Sequence, residues 1–147
     1  MERFLGNYSP YIYAILRIVT GFLFLWHGTQ KLFGFPPQQL PPGAPAPSGG
    51  LSPMIAAAGT IELVCGVLIM VGFLTGFAAF LASGLMAFAY FIGHFRMDAF
   101  LPIQNRGELA VLYCFVLLYL AARGSGVWSI DSLMGRTNTA AGGRVDG

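Results

Sequence analysis

YIYAILRIVTGFLFLWHGTQKLF, residues Tyr11–Phe33, is an apolar run of membrane-spanning length that nonetheless carries Arg17, His27 and Lys31. A bilayer's hydrocarbon core is about 30 Å thick and takes roughly 20 apolar helical residues to cross. Three further runs follow, at Pro53–Leu74, Phe77–Phe95 and Gly107–Ala122, with Glu62, His94 and Glu108 inside them or at their edges. A charge within a span costs about 3 kcal/mol on insertion scales, so it turns to the bundle interior and finds a partner. A chain serving only as an anchor has little reason to bear that cost. The expected fold is therefore an all-α membrane protein, four transmembrane helices in an up-down bundle, with function in its polar residues.

Composition agrees. The 147 residues are 56% hydrophobic and only 10% charged, where soluble domains average about 25% charged. Four spans in so short a chain leave room for one domain, residues 1–133, and a disordered polar tail, 134–147. The net charge of +2 is scattered and no Lys/Arg-rich stretch occurs, which excludes nucleic acid and leaves membrane lipid as the surroundings. Ala44-Pro45-Ala46 resembles a signal-cleavage site, but the first run is longer than the ~7–15 residues of a signal's apolar core and contains Arg17. It is expected to be a retained helix.

Between the runs, Phe35–Pro53 is rich in Pro, Gly and Gln and is expected to be a long irregular loop between helices 1 and 2. The Gly72–Gly76 turn makes helices 2 and 3 a hairpin. One face carries Arg3, Arg123, Arg136 and Arg144, the other Lys31, Arg96 and Arg106, a narrow bias toward cytoplasmic termini. Cys65 and Cys114 lie within predicted helices and form no Cys-x-x-Cys or Cys/His spacing, so they read as packing thiols and no metal is expected.

The up-down order brings His27–Lys31, His94 and Glu108 to the same side of the membrane. Glu62, about nine residues into helix 2, lies roughly 13 Å deep on that side, about one turn below His27. Helical angles place Arg17, Thr20, His27 and Lys31 on one arc, and Ser83, Ala87, Tyr90 and His94 on another. Ala58, Gly59, Glu62, Cys65 and Gly66 form a small-residue stripe suited to close helix approach. A cluster of Lys31, two imidazoles and two carboxylates is the candidate catalytic site. Each member also has a structural reading: Lys31 snorkelling, His94 meeting a helix dipole, Glu108 in a capping box with Asn105. Arg17 lies toward the opposite face, where Asp131 returns, and a structural Arg17–Asp131 ion pair is expected.

The stretch Arg17–Gly34, with Trp26-His27-Gly28 and Gln30-Lys31, resembles the first helix of the DoxX family of small bacterial membrane proteins. Ile61-Glu62-Leu63-Val64-Cys65-Gly66, Gly107-Glu108-Leu109-Ala110 and Gly124–Asp131 are similar to its later motifs. The resemblance covers residues 10–133 and implies a bacterial inner-membrane protein. It implies polar family positions at Arg17, His27, Lys31, Glu62, His94, Glu108 and Asp131. It also implies links to thiosulfate:quinone oxidoreductase and to complexes handling thiols, oxidative stress, or quinone and catechol detoxification.

Two functions compete. In the first, the chain is a quinone- or thiol-linked oxidoreductase subunit. His27 and His94 donate to a quinone carbonyl and move protons, Lys31 stabilises negative charge, Glu62 delivers a proton or stays ionised if Lys31 or Arg17 pairs with it, and His27, Phe24, Phe91 and Phe115 line the slot. No flavin, haem or iron–sulfur motif occurs in the chain, so electrons require a partner redox protein or a direct two-electron donor. In the second, the protein is a non-enzymatic scaffold or small-molecule carrier whose polar core sets helix pairing. Helix glycines permit a homo-oligomer in either case.

Overall fold

The computed structural model describes residues 2–37 and 51–136. Most of the Pro/Gly-rich stretch (38–50) and the tail at 137–147 lie outside the described residues, as do the expectations of loop and disorder made for them.

Every named element among the described residues is helical. A short α1 (Glu2–Gly6) precedes α2 (Ser9–Phe33) and α3 (Pro53–Val71). Next, α4 (Thr75–Ala89) runs on as a π-helical turn, Tyr90–His94. Then come α5 (Pro102–Asn105), α6 (Glu108–Arg123) and α7 (Ile130–Leu133). Pro10 and Pro53 sit in the first turns of α2 and α3, where a fixed φ and a missing N–H cost nothing. At the far end of α3, Gly72 takes φ +73 and its N–H returns to Ile69 and Leu68 carbonyls. A left-handed residue there stops the helix and starts the hairpin into α4.

Among the described residues, three helices are long and apolar enough to cross a membrane: Ser9–Phe33, Pro53–Val71 and the continuous Thr75–His94. Large apolar side chains cover their outer surfaces, among them Phe77, Phe80, Phe88 and Phe91. Inside, Phe24, Ile69, Leu117 and Leu120 are fully buried against Ala78, Ala79 and Ala82. An apolar exterior over an equally apolar core fits lipid as the solvent.

Packing follows chain order, α2 on α3, α3 on α4 and α4 on α6. The α2–α3 contact is the tightest. A Cβ on Gly28 would lie 2.5 Å from the backbone N of Leu63, and one on Gly21 would lie 2.5 Å from that of Met70. From the other side, a Cβ on Gly66 would meet Leu25 N at 2.7 Å. These contacts run antiparallel and bring the two backbones together, as small residues do between membrane helices. Between α2 and α6, by contrast, rings span the gap: Phe24 and Tyr113 (5.5 Å between centroids), and Tyr13, whose hydroxyl donates to the Gly124 carbonyl. The α2–α6 side is therefore where the bundle is built from side chains rather than from backbone contact.

Candidate functional site

Polar residues gather at both ends of the α2–α3 pair, and the two groups differ in kind. At one end Arg17 is fully buried. Its guanidinium donates to the carbonyls of Ile69 (2.8 Å), Met70 (2.9 Å), Trp128 (2.7 Å) and Val127 (3.3 Å). The first two belong to the last turn of α3, whose carbonyls have no helical partners and carry the negative end of the dipole. The other two belong to the segment after α6, which folds back across this end. Asp131 serves the opposite pole: its carboxylate accepts from the Leu74 N–H at the start of α4 (2.9 Å) and from the Ser125 hydroxyl (2.5 Å). That hydroxyl lies 3.0 Å from Thr75 Oγ1.

The expected direct Arg17–Asp131 ion pair is not formed. Among the described residues the ion pairs are Lys31–Glu62 and Arg96–Asp98. Arg17 and Asp131 do share one end of the molecule, but each answers a helix terminus. The cation meets the end of α3 and the anion meets the start of α4.

The second group is built around an ion pair. Lys31 from α2 pairs with Glu62 Oε1 from α3; Glu62 is only 2% exposed, while Lys31 keeps 37% of its side chain open. The other carboxylate oxygen, Glu62 Oε2, is buried with no hydrogen-bond partner among the described residues. His27, one turn before Lys31, stands edge-on to the Tyr113 ring, 5.9 Å between centroids and 85° between planes. Tyr113 also leans on Phe24. Because Gly28 rests directly on Gly59 and Leu63, Glu62 is level with the His27–Lys31 turn rather than below it. Lys31, Glu62, His27, Tyr113 and Phe24 thus make one site, a buried carboxylate in an aromatic wall with a cation at its mouth.

The other expected members fall elsewhere. His94 ends the π-helical turn with Nδ1 3.2 Å from the Asn105 carbonyl. A carbonyl only accepts, so Nδ1 is the donor of this bond. Glu108 is exposed and lines an outer groove with Arg106, Leu112 and Phe115. No capping box forms there. Gly107 is the N-cap of α6, and Asn105 Oδ1 instead accepts from the Gly107 N–H at 2.9 Å. Phe91 and Phe115 are more than 60% exposed on the outer surface, which removes them from the wall expected around Phe24. Beyond the spans, Arg96 and Asp98 form a fully exposed pair, and Arg96 holds the Asp98 carboxyl below its ordinary range.

A sequence reading that follows charge alone misses Tyr113. A phenol in the middle of an apolar run is the available signal, since a buried tyrosine hydroxyl usually seeks a partner. The cysteines are both free: Cys65 is buried, and the Cys114 carbonyl accepts from Ser83 at 2.8 Å.

An all-helical membrane protein with a buried charged site between its first two long helices is the class these features define. The DoxX family model matches residues 12–95, and the chain belongs to that family. It is 41% identical over 130 residues to an uncharacterized protein of Haemophilus influenzae, covering 87% of this chain and 94% of that one. It is also 30% identical over 155 residues to an uncharacterized membrane protein of Mycobacterium tuberculosis, covering 97% and 93%. No solved structure matches the chain.

Proposed function

We propose that this protein crosses a bacterial inner membrane four times, with cytoplasmic termini, and binds a quinone-class molecule for a membrane oxidoreductase. Support for a fourth span comes from α6, which packs along α4 and turns Leu109, Leu112, Phe115 and Leu118 outward. Its 16 residues rise about 24 Å, a shortfall that local bilayer thinning and flanking polar residues can meet.

One observation carries the quinone reading: a buried, incompletely satisfied carboxylate, paired with Lys31, set against His27 and the Tyr113 and Phe24 rings. A quinone brings an apolar ring and two carbonyls, and takes up two electrons and two protons on reduction. Lys31 and the Tyr113 hydroxyl are donors for a carbonyl. His27 accepts and returns protons, and the rings supply an apolar wall. Electrons come from a partner redox protein. Both thiols are free, Cys65 buried and Cys114 Sγ 3.6 Å from the Ser83 hydroxyl, which favours quinone over thiol chemistry.

The scaffold or carrier reading has its own support, because the Lys31–Glu62 pair joins two helices already in backbone contact at Gly28 and Gly59. Extraction of lipid-soluble molecules from the purified protein, identified by mass spectrometry, separates the two. Quinone retained by the wild type and lost from a folded His27→Ala/Glu62→Gln variant supports the redox site. Absence of quinone from both, with the variant merely unstable, favours the scaffold.

A further inference from the structure

The donors and acceptors of the site are unequal in what they lack. Lys31 already donates to Glu62 Oε1 and is open enough to reach water. Among the described residues, Glu62 Oε2 has no donor, and it is buried. An ionised carboxylate only accepts hydrogen bonds, and an unmatched buried acceptor is costly where water is scarce. What the site lacks is therefore an O–H or N–H, and a quinone offers only acceptors. Placing a quinone carbonyl beside Oε2 would set two acceptors face to face.

We propose that the site takes the reduced, hydroxyl-bearing form of its ligand in preference to the oxidised form, with a ring hydroxyl donating to Glu62 Oε2. This rests on the quinone-class reading of the site and specifies which member of the couple it holds. The hydroxyl enters past the His27–Lys31 turn, where side chains of the site are partly open to the surroundings. Its aromatic ring lies beside His27, which is half-buried. A charge-assisted O–H···O⁻ bond is about twice as strong as a neutral one, so the preference is large enough to measure. By linkage, a site that binds the reduced form more tightly raises the potential of the bound couple.

The test uses the full chain in detergent under anaerobic conditions, with decylubiquinol, decylubiquinone and the dimethyl ether of the quinol as probes. Wild-type protein is expected to bind the quinol at least tenfold more tightly than the quinone. That ratio corresponds to an upward shift of about 30 mV in a two-electron couple. The dimethyl ether, which keeps the ring and loses the donors, is expected to lose the advantage. Glu62→Gln, whose amide offers N–H groups to a carbonyl, is expected to level or reverse the preference. Should that variant fail to fold, quinol against dimethyl ether on the wild type decides alone. Equal or tighter binding of the quinone overturns the inference and leaves the proposed site standing. If neither form binds, the proposed function falls and the inference with it.

Discussion

Arg17 and Lys31 are both cations in the same helix, yet their surroundings give them opposite vulnerabilities. Arg17 feeds four carbonyls from a fully buried position. Arg17→Met is expected to cost about 3–5 kcal/mol, as when one member of a buried charged network is removed. Asp131→Ala removes the acceptor of the Leu74 N–H and of the Ser125 hydroxyl and is expected to cost about 1–2 kcal/mol. Thermal unfolding in detergent ranks the two, and a reversed order would contradict these roles. The Lys31–Glu62 pair predicts a second asymmetry. Lys31→Ala strands a carboxylate that is 2% exposed, whereas Glu62→Gln frees an ammonium that can turn to water. The lysine variant should therefore be the less stable by about 2 kcal/mol or more, measured in the same melts. Equal losses would mean that Glu62 is satisfied by another donor. These residues are visible in the sequence as charges in apolar runs. Their partners are not, because Arg17 bonds to backbone carbonyls, which no side-chain pattern encodes.

The α2–α3 contact is decided by glycine. Gly28→Ala would press a methyl group into the Leu63 backbone, while the same change at Gly84 meets nothing within 4 Å. Gly28→Ala is expected to destabilise by about 1–3 kcal/mol, the usual cost of overpacking, and Gly84→Ala to be neutral or slightly stabilising. Unfolding of both variants in one detergent checks this, and matching melts would refute the close approach. The α4 end and its following loop carry a separate, pH-dependent feature. Because Arg96 lowers the Asp98 carboxyl in the folded chain, the pair's contribution is full above the free carboxyl's range and is lost as pH falls through the lower folded value. Following the Asp98 carboxyl carbon by NMR should show a midpoint below an ordinary aspartate, moving back up in 1 M salt. Helix limits are legible from apolar run lengths and Gly/Pro punctuation. The π-helical turn at Tyr90–His94 is not, and it places His94 against Asn105 rather than in the site.

For the whole molecule, the even number of proposed spans predicts which surfaces share a compartment. Met97 and Leu133 are both more than 80% exposed, one in the loop after the π-helical turn and one beyond α6. In a Cys65→Ser/Cys114→Ser background, Met97→Cys should react with an impermeant thiol reagent added to intact cells, and Leu133→Cys only after lysis. Labelling of both from outside would rule out α6 as a span. The same architecture explains the separation of roles: one end closes the bundle through helix termini, and the other holds an ion pair beside aromatic rings.

Hydropathy alone determined that this is a helical membrane protein, where the helices lie and which residues are too polar to be idle, since the bilayer penalises each of them independently of its neighbours. Only the tertiary structure decided which of them meet. Glu62, Lys31 and His27 converge because glycines let α2 and α3 touch, and Tyr113 joins them because α6 stands off by the width of a ring. His94, Glu108, Phe91 and Phe115 are turned elsewhere by a π-helical turn and by the rotation of α4 and α6. Those rotations are settled by packing between helices, which no single run of residues contains.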